Sequence, residues 1–189
     1  MKRKHFFGTD GVRGCANKPP ITAETTLKLG ISAGHYFNSA SGSKRVIIGK
    51  DTRRSGYMLE NALTAGLTAV GMNVFFLGPV PTPAVGILTK SMRADVGIMI
   101  SASHNPFSDN GIKFFGPDGF KLSEADELKI ENLMSQELPL APAKDIGRAR
   151  RINDGLGRYT EAVKTTLPSS FSLEGFKIVI DCANGASYK

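Results

Sequence analysis

Three short apolar runs, at positions 45–50 (RVIIGK, rich in β-branched residues), 73–77 (NVFFL) and 95–100 (DVGIMI), alternate with stretches of helical period at 57–70 and 84–92. In the first helical stretch Leu59, Leu63, Leu67 and Val70 fall on one side. Runs this short and this apolar are the pattern of strands buried on both faces, and strands joined through helices pair in parallel by crossover. The order strand, helix, strand, helix, strand therefore predicts an α/β fold: a mixed, mostly parallel sheet flanked by helices.

The flanking segments extend this pattern. Residues 22–38 carry apolar or small side chains at Ala23, Leu27, Ile31 and Gly34, with Thr22 able to cap the first turn, which predicts a further helix. A small-residue turn is expected at 39–44 and a stiff proline loop at 79–83. After Ile100 come a polar loop at 101–111, a short strand at 112–115 and a turn at 116–119 (GPDG). Ser123-Glu124-Ala125-Asp126 reads as a capping box opening a helix to about Gln136.

Composition then shifts to alternating prolines and a charged, poorly periodic stretch, which places a domain boundary at about Asn153. Residues 1–153 form the first domain, and 154–189 begin an incomplete second α/β domain with a helix at 157–167, an apolar strand at 176–181 and a turn at 183–186. One helix and one strand cannot bury both faces of a sheet, so self-association, a homodimer or disorder is expected beyond Asn153.

A formal charge of +7 attracts anions of any kind. Nucleic-acid binding usually adds stacking aromatics to a basic stripe, but there is no Trp and the tyrosines are dispersed, so no nucleic-acid partner is expected. The apolar runs fall far below the ~20 residues that cross a bilayer, and the basic start at 1–5 precedes a segment too short and polar for a signal core. Cys15 and Cys182 lack a metal-ligand or redox spacing and read as free thiols. No membrane association and a cytoplasmic location are expected.

Chemistry concentrates at Ser101-Ala102-Ser103-His104-Asn105-Pro106, directly after a predicted strand, where ligands of α/β sheets collect. Ser103 offers an alcohol beside His104, which donates or accepts a proton, while Asn105 and Pro106 favour a tight turn. The same hexapeptide reads equally well as an ordinary capped turn. A phosphate esterified to serine is a transferable group whose charge must be offset as it moves. Two cations stand nearby in sequence: Lys113, a compact ammonium, and Arg13, capable of a bidentate phosphate contact, within the glycine-rich segment 8–14 (GTDGVRG). In isolation that segment is also a plain turn and Lys113 a solvated lysine.

The combination FFGTDGVRG at 6–14, GKDTRRSG at 49–56 and ISASHNPFSDNGIKFFGPDGFKL at 100–122 resembles the α-D-phosphohexomutase superfamily, in particular its members acting on glucosamine phosphates. The resemblance implies interconversion of glucosamine 6-phosphate and glucosamine 1-phosphate through glucosamine 1,6-bisphosphate. Related gluco- or mannophosphate mutases, or a non-catalytic phosphate-binding module, are the alternatives.

It implies that Ser103 carries the phosphoryl group and, through that phosphate, ligates Mg²⁺. By the same likeness Lys113 moves a proton, Arg13 neighbours the phosphate, and His104 and Asn105 flank the carrier, with Arg13, Asn105 and Lys113 as phosphate contacts. At 51–55, Arg53 is expected to pair with Asp51 or a loop carbonyl without a chemical role. The superfamily's acidic metal loop, sugar loop and phosphate loop have no counterpart in this sequence. Asp181 lacks companion carboxylates. An inactive fragment of a mutase is therefore expected.

Overall fold

A computed structural model describes residues 6–8, 10–38 and 42–188. Thr9 of the glycine-rich segment and positions 39–41 of the expected turn lie outside the described residues. The elements are β1 (Phe7–Gly8), β2 (Gly11–Cys15), α1 (Ala23–Asn38), β3 (Arg45–Lys50), α2 (Ser55–Ala69), β4 (Asn73–Pro79) and α3 (Thr82–Ser91). They continue with β5 (Val96–Ile100), β6 (Asp109–Phe115), α4 (Glu124–Leu133), a 3₁₀ turn at Ala143–Asp145, β7 (Ala149–Arg151) and α5 (Gly155–Lys164).

The strands form one mixed sheet in the order β1-β2-β6-β5-β3-β4-β7. Strands β5, β3, β4 and β7 pair in parallel. Strands β6, β2 and β1 continue the sheet antiparallel from β5. Alternation along β3 explains the three layers, because Val46 and Ile48 enter one core while Ile47 enters the other. The first core gathers Leu29, Ala33 and Phe37 of α1, Leu59, Leu63 and Leu67 of α2, and Ile130 of α4. The second gathers Ala84, Val85 and Leu88 of α3, with Ile152 and Tyr159 packed alongside. Leu63 is fully buried, so Leu63→Ala should cost about 2–5 kcal/mol. Helices α1 and α2 cross closely because Gly30 and Gly66 carry no Cβ: one on Gly66 would meet the Leu27 carbonyl oxygen at 2.4 Å.

Local signals operate as expected at several ends. Thr22 Oγ1 accepts the Thr25 N–H, and Ser123 Oγ accepts the Asp126 N–H. The Gly116–Gly119 turn closes with a main-chain hydrogen bond of 2.9 Å. Three departures have physical causes. Strand β6 begins at Asp109, not Ile112, because β2 supplies a partner as far as Cys15↔Asp109. The charged stretch holds β7, an exposed edge strand whose polar composition carries no apolar period. The apolar run at 176–181 pairs with no strand among the described residues, and Val179 is 93% exposed.

Candidate active site

In the parallel register of β3 and β5, Lys50 lies opposite Ile100. Residues that follow the two strands therefore emerge together at the carboxyl edge of the sheet, where ligands of α/β folds bind. Buried Lys50 is neutralised by Glu60 and lies beneath the Tyr57 ring, anchoring the start of α2 against the end of β3. Just beyond it, the Asp51 N–H donates to the Ile100 carbonyl at 3.0 Å, so the segment carrying Asp51 and Arg53 is fixed against the segment carrying Ser101 and Ser103.

Ser103 has φ of +58°, the left-handed region, which costs an L-residue about 1–2 kcal/mol. A polar network holds it there. The Ser103 N–H donates to Ser101 Oγ at 3.0 Å, and the Ser101 hydroxyl donates to Asp51 Oδ2 at 2.8 Å. Arg53 Nη2 donates to the carbonyl oxygens of Ser103 and Asn105, each at 2.9 Å. Its Nε lies 3.0 Å from Asp51 Oδ2, and its main-chain N–H donates to Asp51 Oδ1. Hydrogen bonds to charged groups contribute about 1.5–3 kcal/mol each, enough to offset the backbone strain. Arg53 thus pairs with both Asp51 and loop carbonyls.

The Ser103 side chain is left exposed, 3.3 Å from His104 Nδ1. Ser103, His104, Asn105 and Phe107 border an open cleft of about 820 Å³ together with Arg53 and Arg54. Asn105 turns its amide onto Asp109 Oδ2 at 3.0 Å, closing the loop. Across the cleft, the Thr52 hydroxyl donates to the Asn184 carbonyl.

Arg13 and Lys113 stand together but outside the lining of this cleft. Arg13 Nη2 lies 3.0 Å from Asp10 Oδ2, and Lys113 Nζ lies 3.8 Å from Asp10 Oδ1. Arg13 sits opposite Gly111 of β6. A Cβ on Gly111 would meet the Ser101 carbonyl oxygen at 2.8 Å and Arg13 Cγ at 2.9 Å, so the Arg13 stem passes beside the loop that begins at Ser101. Its Nε is buried without a hydrogen-bond partner among the described residues. Sequence reasoning passed over Asp10 and Ser101. Asp10 lay inside the glycine-rich segment without a periodic signal, and Ser101 was legible only as a turn residue.

Among the described residues no group of three or more His, Cys, Asp or Glu gathers to hold a metal. Both Asp51 oxygens are engaged by Arg53 and Ser101. These residues do not by themselves fit Mg²⁺, for which several oxygen ligands are needed.

The family described as "Phosphoglucomutase/phosphomannomutase, alpha/beta/alpha domain I" matches residues 4–140. The chain belongs to the phosphoglucomutase/phosphomannomutase family. Strands β1 to β6, helices α1 to α4 and the Ser103 loop fall within the stretch that matches domain I of that family. The sequence is 66% identical over its whole length to a phosphoglucosamine mutase of Cereibacter sphaeroides (strain ATCC 17025) and 67% identical to one of Paracoccus denitrificans (strain Pd 1222). It spans 42% of the length of each. The fold is similar to a structure assigned as a phosphomannomutase from Thermus thermophilus, with a TM-score of 0.74 and 30% identity over 89% of this chain and 37% of the other. It is also similar to a family member of Burkholderia thailandensis, with a TM-score of 0.70 and 25% identity over 84% of this chain and 35% of that one.

Proposed function

We propose that this chain supplies the phosphoryl-carrying part of a mutase that interconverts glucosamine 6-phosphate and glucosamine 1-phosphate through glucosamine 1,6-bisphosphate. The observation that carries the reading is Ser103: exposed at the carboxyl edge of the sheet, held in a left-handed conformation by the Asp51, Arg53 and Ser101 contacts, with its hydroxyl facing only His104 Nδ1 among the described residues. In the forward direction the bond from phosphorus to Ser103 Oγ breaks as the one to the sugar's 1-hydroxyl forms; the hydroxyl's proton passes to a base and Ser103 Oγ takes one up. The resulting bisphosphate returns its 6-phosphoryl group to Ser103. Little covalent work falls to the protein, so positioning and charge dominate.

In this reading Lys113 relays the proton, and His104, beside Ser103 Oγ, steadies the acceptor hydroxyl. Arg13, whose buried Nε has no partner among the described residues, contacts phosphate, as do Asn105 and Lys113. A Mg²⁺ ion at the Ser103 phosphate would take its remaining ligands from outside these residues. Residues 1–153 form the carrier domain, and 154–189 open a second one. Among the described residues no carboxylate cluster gathers to hold a metal, and this stretch alone is expected not to turn over. The expected cytoplasmic location accords with free Cys15 and Cys182.

The family name and the solved relatives also favour a gluco- or mannophosphate substrate as the second reading. The test is a mutase assay on this stretch within a chain as long as its relatives, primed with bisphosphate and offered glucosamine, glucose or mannose 6-phosphate. Preference for the glucosamine ester is expected, and conversion of none of the three would overturn the reading.

A further inference from the structure

Arg53 borders the Ser103 cleft, yet its guanidinium is committed to the protein itself. Nη2 bridges the carbonyl oxygens of Ser103 and Asn105, Nη1 reaches the Pro106 carbonyl at 3.5 Å, and buried Nε lies at ion-pair distance from Asp51 Oδ2, 3.0 Å, without hydrogen-bond geometry. Asp51 in turn accepts the Ser101 hydroxyl, whose oxygen accepts the Ser103 N–H. Ser103 is therefore gripped on both sides, at its N–H through Asp51 and Ser101, and at its carbonyl through Arg53. A positive φ at a non-glycine residue persists only where its surroundings over-determine it. Here both determinants converge on one ion pair.

We propose that the Asp51–Arg53 pair is a positioning device for the carrier serine: it sets the left-handed conformation of Ser103, and so the direction of its hydroxyl, without itself binding phosphate. The proposal rests on the reading of Ser103 as carrier for its functional meaning, but the conformational claim stands independently of it. The carbonyls of Ser103 and Asn105 meet Nη2 while Asp51 lies against Nε, so the contacts are spread over separate nitrogens of a rigid fork that the single ammonium of lysine cannot reproduce. The pair also couples α2 to the loop, since the Gly56 N–H donates to the Arg53 carbonyl at 3.0 Å and joins the first turn of the helix to the residue that grips Ser103.

The test uses this chain without phosphate, labelled for NMR, as wild type and as Arg53→Lys and Arg53→Ala. The readouts are the Ser103 N–H to Hα coupling, its Cα shift, and amide exchange at Ser103 and Asn105. Both variants are expected to lose the left-handed signature of Ser103 and at least tenfold of its amide protection, while amides of β3 and β5 keep theirs. Arg53→Lys preserves the charge facing Asp51 and serves where the alanine variant fails to fold. A Ser103 that keeps its left-handed coupling and protection in folded Arg53→Lys overturns the proposal. Loss of the mutase reading would show instead as absence of phosphate on Ser103, a separate measurement that leaves these signals untouched.

Discussion

Ser101 Oγ accepts the main-chain N–H of Ser103 at 3.0 Å, holding a residue whose φ is +58°. Glycine occupies that region without the Cβ penalty and alanine does not. Ser103→Gly should therefore be more stable than Ser103→Ala by about 1 kcal/mol, read from urea midpoints. Both variants should lack phosphoryl transfer. Equal midpoints would mean that the backbone at 103 is not held left-handed in solution.

Arg13 and Lys113 share Asp10, whose side chain is 56% exposed. The Arg13 and Lys113 side chains are themselves only 25% and 20% exposed, so each alanine variant loses stem packing as well as the ion pair and should cost about 1–2 kcal/mol. Turnover should fall at least tenfold if both cations serve the moving phosphate, measured on this stretch within a chain as long as its relatives. A large drop in melting temperature with turnover kept would mark them as structural.

A titrating contact lies away from the site. The Tyr36 hydroxyl donates to Asp126 Oδ1 at 2.6 Å, and this bond, followed by that from Ser123, holds the Asp126 carboxyl below its ordinary value. Burial, followed by the same contact, raises the Tyr36 phenol. A depressed carboxylate favours folding above its unfolded pKa of about 3.9, and that contribution is lost as pH falls through the folded value. The raised phenol contributes below its unfolded pKa of about 10, and that part is lost as pH rises through the folded value. Tyr36→Phe should be less stable than wild type at neutral pH, with the gap closing in acid below the ordinary carboxylate range. A gap that stays constant into acid, in urea midpoints taken across pH, would refute the assignment.

Ile178, Val179 and Ile180 are exposed and lie in a run that pairs with no strand among the described residues. Apolar edges of this kind recruit other chains. Light scattering should show concentration-dependent association of this chain, reduced by Val179→Lys. A monomer at every concentration would refute the expectation.

The α/β order was legible because buried strands and helices carry different apolar periods, and β3, β4, β5, α2 and α3 all show theirs. Strand β7 was not, since an exposed edge of Ala149, Arg150 and Arg151 needs no apolar face. The run at 176–181 misled for the opposite reason: β propensity states what fits a sheet, not whether a partner exists. At the site, the place after β5 drew attention to the Ser101–Pro106 loop, while the choice of Ser103 as carrier rests on the resemblance. The grip on it was only half visible, because Asp51 and Arg53 meet the loop through a register that no local pattern encodes.

The central claim is that Ser103 carries the phosphoryl group. Its most direct test is peptide-resolved mass spectrometry after incubation with glucosamine 1,6-bisphosphate, on this stretch within a chain as long as its relatives. The account predicts one phosphoryl group, confined to the peptide containing Ser103, absent from Ser103→Ala and removed by excess glucosamine 6-phosphate. Phosphate on another residue, or active enzyme that never carries phosphate on Ser103, would contradict it.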